Sequence, residues 1–331
     1  MSQQPQRKKG RPDALLLILV IFLAVFGLVF LYSSSSYNGR VRFHDSFYYF
    51  KKQLFATALG LAAMYVVSET DYHFWVSLAP VVYLMSVVLS TAVLLVGQEI
   101  NGSKRWLSLG PLSFQPSEFA KVAVILFLAW QIDRSRKKTS GIWFMCRTMA
   151  TLLPIVGLVG SNNLSTAIII FGITAGLIFM AHPNTKLFLS IAAVGVVLVA
   201  GIVIFLYLTV DPETNENFRI GRILVWLRPE EFADGMGYQT LQALYAIGSG
   251  GLLGRGLGNS IQKLGSVPEA QNDMIFSIVC EELGIAGGVM LLLMFAYLLY
   301  RLFFIAQNAS DLLGKPDGNR NFYPYCATGD L

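Results

Sequence analysis

Apolar residues fall along this chain in long unbroken blocks separated by short polar stretches. The blocks cover about residues 15–32, 48–67, 74–96, 116–130, 148–160, 164–180, 187–210 and 274–305. Most approach the roughly 20 residues that a helix needs to cross a hydrocarbon core. They are continuous rather than alternating, which excludes a membrane β-barrel. The pattern predicts an all-α polytopic membrane protein with about eight transmembrane helices. Brief connections such as SETDYH and SNN join antiparallel neighbours, and Pro116 suits a first helical turn because its missing N–H needs no partner there. SSSSYNGRVRFHDS reads as a short outer loop. One large polar insert, about 211–272, separates the seventh and eighth predicted helices and is placed outside the membrane.

Composition agrees with this reading. Hydrophobic residues make up 54% and charged residues 14%, where a soluble domain carries about a quarter charged. The net charge of +5 does not call for nucleic acid, because Lys and Arg gather in cytoplasmic loops and set membrane orientation. Arg7, Lys8, Lys9 and Arg11 at the start and the DRSRKK loop fall on the same side by this count, so the N-terminus is predicted to be cytoplasmic. The first apolar run is too long for a signal peptide and lacks a small-x-small cleavage pattern, so it reads as a retained helix. Cys146, Cys280 and Cys326 form no framework, and the histidines are isolated. Three regions result: a basic N-terminus (1–12), a membrane domain (13–311), and a polar Gly-, Pro- and Asn-rich tail (312–331) predicted to be disordered.

Ionisable residues inside spans are expensive and mark candidate sites. Glu118 and Lys121 lie one turn apart on the fourth helix and are predicted to pair. That pair reads as a structural lock or as part of a site. Asp273, Ser277 and Glu281 recur every fourth residue down the eighth helix, which places Glu281 about 12 Å deeper than Asp273. Glu281 and Glu282, next to Gly284, read as structural or gating. Asp273 reads either as an ordinary N-cap or as an ionised group held where loop becomes helix. Arg219, Arg222, Arg228, Arg255, Lys263, Lys104 and Arg105 form an outer cationic set suited to phosphate or to anionic headgroups. The glycines of AIGSGGLLGRGLGNS match neither a P-loop nor a dinucleotide fingerprint; they permit sharply turned or re-entrant backbone.

Three stretches, NGSKRWLSLGPLSFQPSEFAKVA, GYQTLQALYAIGSGGLLGRGLGNSIQK and PEAQNDMIFSIVCEELG, occur in the order found in the bacterial SEDS family (FtsW, RodA and SpoVE), which the chain resembles over most of residues 13–311. The division or sporulation branch is the nearer in pattern. The resemblance implies a peptidoglycan glycosyltransferase that polymerises lipid II at the outer membrane face, acting with a class B penicillin-binding protein and other divisome membrane proteins. It places the family's essential aspartate at Asp273 and its intramembrane acid–lysine pair at Glu118 and Lys121. The implied substrate-binding set is Lys104, Arg105, Glu118, Lys121, Arg219, Arg222, Gln239, Arg255, Lys263 and Glu269. Mg²⁺ or Mn²⁺ is the candidate cofactor at the pyrophosphate. A lipid II flippase and a non-catalytic divisome scaffold are the competing readings. Two departures accompany the resemblance: SNNLSTA replaces the commoner aspartate–leucine–glycine–threonine pattern, and the family's usual ten helices end here at about eight, as expected of a truncated product.

Overall fold

The computed structural model describes residues 13–100, 103–109, 112–135, 142–181, 185–209, 218–235 and 237–308. The basic N-terminus, much of the DRSRKK loop and the tail (312–331) lie outside the described residues. A long helix stands at each of the eight expected places: α1 (Ala14–Phe43), α2 (Tyr48–Glu69), α3 (Tyr72–Val96), α4 (Pro116–Arg134), α5 (Ile142–Asn162), α6 (Leu164–Ala181), α7 (Thr185–Thr209) and α10 (Ile275–Asn308). Five of these, α1, α3, α5, α7 and α10, are long and apolar enough to cross a membrane. Of the other three, α2 carries Lys51, Lys52 and Glu69, α4 carries Glu118, Lys121, Asp133 and Arg134, and α6 is apolar but shorter.

Three departures from the sequence reading have local causes. The SSSSYNGRVRF stretch is not a loop but the last turns of α1. Two of its hydroxyls bond back to the helix, Ser34 to the Leu31 carbonyl (3.2 Å) and Ser36 to that of Ser33 (3.4 Å), and so find partners without leaving the helical conformation. The connection before α4 holds three short antiparallel strands, β1 (Gln98–Ile100), β2 (Ser103–Leu109) and β3 (Leu112–Phe114), in the order β1-β2-β3. The large insert is largely ordered: α8 (Phe218–Leu227), α9 (Tyr238–Gly250) and 3-10 turns at Pro229–Phe232 and Gln262–Leu264 occupy it.

The chain forms two compact units. In the unit spanning residues 66–196, α3, α4, α5 and α6 pack around Ala120, Val124, Leu128, Leu152, Ile155 and Ile170, all at most 1% exposed. The Tyr83 hydroxyl ties α3 to α5 by donating to the Thr151 carbonyl at 2.6 Å.

In the unit made of residues 13–65 and 197–309, α1 and α10 run antiparallel. Asp13, the N-cap of α1, pairs with Arg301 of α10; Ser33 meets Glu282; Asn38 meets Gln271. Going up α1 therefore means going back along α10. From Asp13 to Ser33 is about 30 Å at 1.5 Å per residue, one hydrocarbon thickness. Glu282 and the turn that precedes α10 thus lie a membrane's width from the Asp13–Arg301 pair.

Candidate functional site

The turn 266–274 that precedes α10 is built from the inside outward. Val267 and Ala270, at 1% and 0% exposure, pack on Ile278 of α10. Glu269 takes a left-handed conformation (φ 51°), a strained choice for a non-glycine residue that surrounding contacts must hold in place. They do so: its carboxylate accepts from the side-chain amides of Asn272 (2.7 Å) and Gln271 (3.2 Å) and faces Arg42 of α1 at 3.7 Å. Gln271 is buried and accepts from Asn38 of α1 at 2.9 Å. Gln239, at the start of α9, donates to the Pro268 carbonyl at 3.1 Å.

Asp273 projects from this anchored turn. It is exposed, and among the described residues no hydrogen bond or ion pair engages its carboxylate. The helix begins at Ile275, so Asp273 sits two residues ahead of it and does not act as its side-chain cap. The structure thus sets Asp273 on a turn that Glu269, within it, and Gln239, reaching it from α9, both fasten.

Lys263 and Arg255, expected among the outward cations, are instead turned toward α10. Lys263 has only 7% of its side chain exposed, and its ammonium donates to Glu282 (2.8 Å), Ser33 (2.9 Å) and the Gly258 carbonyl (2.7 Å). Arg255 faces Glu281 at 3.5 Å and donates to the Ser249 carbonyl at 3.2 Å. The reason is electrostatic: Glu281 and Glu282 are wholly buried, and buried carboxylates require paired charge and donors. Glu281 also accepts from the Ser260 hydroxyl and from the amides of Ile261 (3.0 Å) and Gln262 (3.4 Å).

The glycine run serves the same region. At Gly284 the helix α10 breaks, with φ 74° and ψ −179°. The segment 251–256 runs beside the break: Arg255 and Gly256 amides donate to the carbonyls of Glu281 (3.0 Å) and Glu282 (2.9 Å), and Ile285 and Ala286 amides donate to those of Gly251 (2.9 Å) and Leu252 (3.2 Å). A Cβ at Gly254 or Gly284 would come within 2.2 or 2.3 Å of a facing carbonyl oxygen. This is the sharply turned backbone that the glycines permit, placed against α10.

In the other unit, Glu118 and Lys121 form the expected pair at 2.7 Å in the first turns of α4, with 58% and 26% of their side chains exposed. Lys104 and Arg105 of β2, Ser90 of α3, Ser117 of α4 and Asn162 and Asn163 of the α5–α6 turn line a small open pocket. Asn162 grips β2 twice: its side-chain amide donates to the Lys104 carbonyl at 2.7 Å, and its own carbonyl accepts from Arg105 Nε at 3.1 Å. Asn163 accepts from the Thr166 amide at 3.2 Å and opens α6. The SNN departure is therefore structural as well as local. Arg222 lies exposed on α8, an amphipathic helix that buries Gly221, Leu224 and Val225; the side chain of Arg219 lies outside the described residues.

Sequence reasoning missed Ser33, Asn38, Arg42, Ser260 and Gln271, because their partners are remote in the chain. Only the polar run of PEAQND hinted at Gln271. Among the described residues, no three His, Cys, Asp or Glu side chains gather to hold a metal.

Residues 13–315 match the family model described as cell cycle protein, of the FtsW, RodA and SpoVE type. The chain is 36% identical over 318 residues to stage V sporulation protein E of Bacillus subtilis, covering 93% of this chain and 82% of that one. It is 33% identical over 307 residues to the probable peptidoglycan glycosyltransferase FtsW of Trichlorobacter lovleyi, covering 92% and 78%. Among solved structures it is similar, at a TM-score of 0.67 and 28% identity over 89% of this chain and 78% of the other, to a chain from work on the structural coordination of polymerization and crosslinking by a peptidoglycan synthase complex. The rod shape determining protein RodA of Thermus thermophilus superposes with a TM-score of 0.57 and 26% identity, over 89% and 75%.

Proposed function

Because this chain belongs to the FtsW, RodA and SpoVE family of cell cycle proteins, we propose that it is a multi-pass membrane peptidoglycan glycosyltransferase that polymerises lipid II. Asp273 supplies the general base. A sugar hydroxyl of one lipid-linked disaccharide attacks the anomeric carbon of another. The hydroxyl proton passes to the Asp273 carboxylate as the new glycosidic bond forms, and undecaprenyl pyrophosphate leaves with the bonding pair. The observation that carries this reading is the exposed Asp273 carboxylate, unengaged among the described residues, on a turn fastened by Glu269, Gln271 and Gln239. A base must be free to accept a proton and must not wander, and this turn meets both needs.

The charge on the departing pyrophosphate calls for cations. In the unit that carries Asp273, Lys263 and Arg255 are held by the buried carboxylates, and Arg222 lies exposed on α8. A divalent ion, Mg²⁺ or Mn²⁺, would bind the phosphates and neutralise part of their charge there.

Orientation follows from α1. The Asp273 turn lies at the end of α10 opposite the Asp13–Arg301 pair. With Arg7, Lys8, Lys9 and Arg11 holding the N-terminus in the cytoplasm, the turn faces the outer side, where glycan strands are assembled. The similarity to a chain from a peptidoglycan synthase complex supports a class B penicillin-binding protein as partner.

The break in α10 is a feature that transporters also use. Here, however, the backbone groups it frees are paired and both neighbouring carboxylates are bonded, so it lends no weight to a flippase. The test is a reconstitution of the chain with a class B penicillin-binding protein and lipid II. Glycan chains on a gel are expected; headgroup translocation across vesicles without any polymer would overturn the proposal.

A further inference from the structure

Lys263, Glu282 and Ser33 form a buried charged cluster that the chemistry above leaves unused. We infer that they constitute a pin that fixes the Asp273 turn in register with α10, and that Lys263 is a positioning residue for glycosyl transfer; this rests on the reading of Asp273 as the base. Lys263 lies in the 3-10 turn just before the segment 265–274, and Glu282 lies on the helix that begins just after it. The single ammonium therefore ties the turn that precedes the Asp273 segment to α10 about two turns beyond its start, at 2.8 Å from Glu282, and docks both on α1 through Ser33 at 2.9 Å. Ser33 in turn donates to Glu282 at 2.7 Å, so the three groups close a triangle.

Stability alone gives little reason for such a cluster. A buried ion pair is commonly matched or exceeded in stability by well-packed apolar side chains of similar volume. What apolar side chains do not reproduce is a fixed length and direction. The Asp273 carboxylate has no partner of its own among the described residues, so its place is set wholly by the backbone of the turn. That backbone includes the left-handed Glu269, which holds its conformation only while its surroundings stay put. Glu281 reinforces the same junction by binding Ser260 and the amides of Ile261 and Gln262, immediately before Lys263.

The test compares the full-length parent with Lys263→Met and with the double variant Lys263→Met/Glu282→Met, purified in detergent with the partner present for activity. The single variant leaves a buried unpaired carboxylate and is expected to lose thermal stability. The double variant removes both charges and is expected to unfold near the parental temperature. Even so, amide exchange over 265–274 should quicken by about tenfold or more in the double variant, while the rest of α10 stays protected. Its kcat for lipid II polymerisation should fall about 100-fold, the effect of a misplaced reacting group, with KM within about twofold of the parent. Parental exchange and parental kcat in the double variant would overturn the pin. So would faster exchange spread evenly along α10, which marks a merely structural pair. If the parent itself builds no glycan, the polymerase reading falls, and the exchange comparison alone then decides for or against the pin.

Discussion

The Glu282 carbonyl accepts the Gly256 amide at 2.9 Å, one of four backbone bonds that the segment 251–256 makes to α10 beside its break. Inside a membrane a freed carbonyl or amide has no water to turn to. The break at Gly284 is tolerated because a glycine-rich segment lies flat against it and supplies the missing partners. The same packing delivers Arg255 and Lys263 to two carboxylates that would otherwise be stranded.

Gly284→Ala is expected to lower stability by at least about 2 kcal/mol, because it combines a left-handed φ with a Cβ placed 2.3 Å from the Leu252 carbonyl oxygen. Gly172→Ala on α6 serves as the control. Nothing lies within 4 Å of its added methyl, and it should leave stability unchanged or raise it by about 0.5–1 kcal/mol. Thermal unfolding in detergent reads both.

Asn162→Ala is expected to lower stability by about 1 kcal/mol, since it removes the bond to the Lys104 carbonyl. It should also loosen β2, which an increase in amide exchange over 103–109 would report. Unchanged exchange there would contradict the role assigned to the α5–α6 turn.

The Glu118–Lys121 pair is more than half exposed on its acidic side, so its contribution to folding is small. Lys121→Met should shift stability by no more than about 0.5 kcal/mol. Thermal unfolding in detergent reads this, and a loss of more than about 2 kcal/mol would contradict it.

Asp45, between α1 and α2, has its carboxyl held below the usual range by the Lys51 ammonium and by the Phe47 amide. A depressed folded-state value stabilises the protein above the unfolded pKa, near about 3.9, and that stabilisation is lost as pH falls through the folded value. Asp45→Asn should therefore melt earlier than the parent at pH 7, with the gap closing in acid. A gap that persists unchanged to low pH would contradict the assignment.

The eight apolar blocks were readable because a spanning helix needs only length and apolarity, both one-dimensional properties. Glu118–Lys121 was readable because its spacing is helical. The fate of Lys263 was not: its partners at Ser33 and Glu282 lie 230 and 19 residues away, and a positive residue in a polar insert looks the same whether it faces solvent or a buried acid. The end of α1 was misread for the opposite reason. Serines and Asn38 are turn formers by propensity, yet here Ser34 and Ser36 bond back to the helix, Ser33 bonds to Glu282 and Asn38 to Gln271. The strands before α4 are too short to announce themselves by alternation.

The most direct test of the central claim is the rate of glycan polymerisation by the Asp273→Asn protein, assayed with its partner and lipid II. Since the Asp273 carboxylate bonds to nothing among the described residues, the variant should fold and melt like the parent while polymerisation falls by about 10²–10⁴-fold. A well-folded Asp273→Asn protein that extends glycan strands at the parental rate would contradict the account.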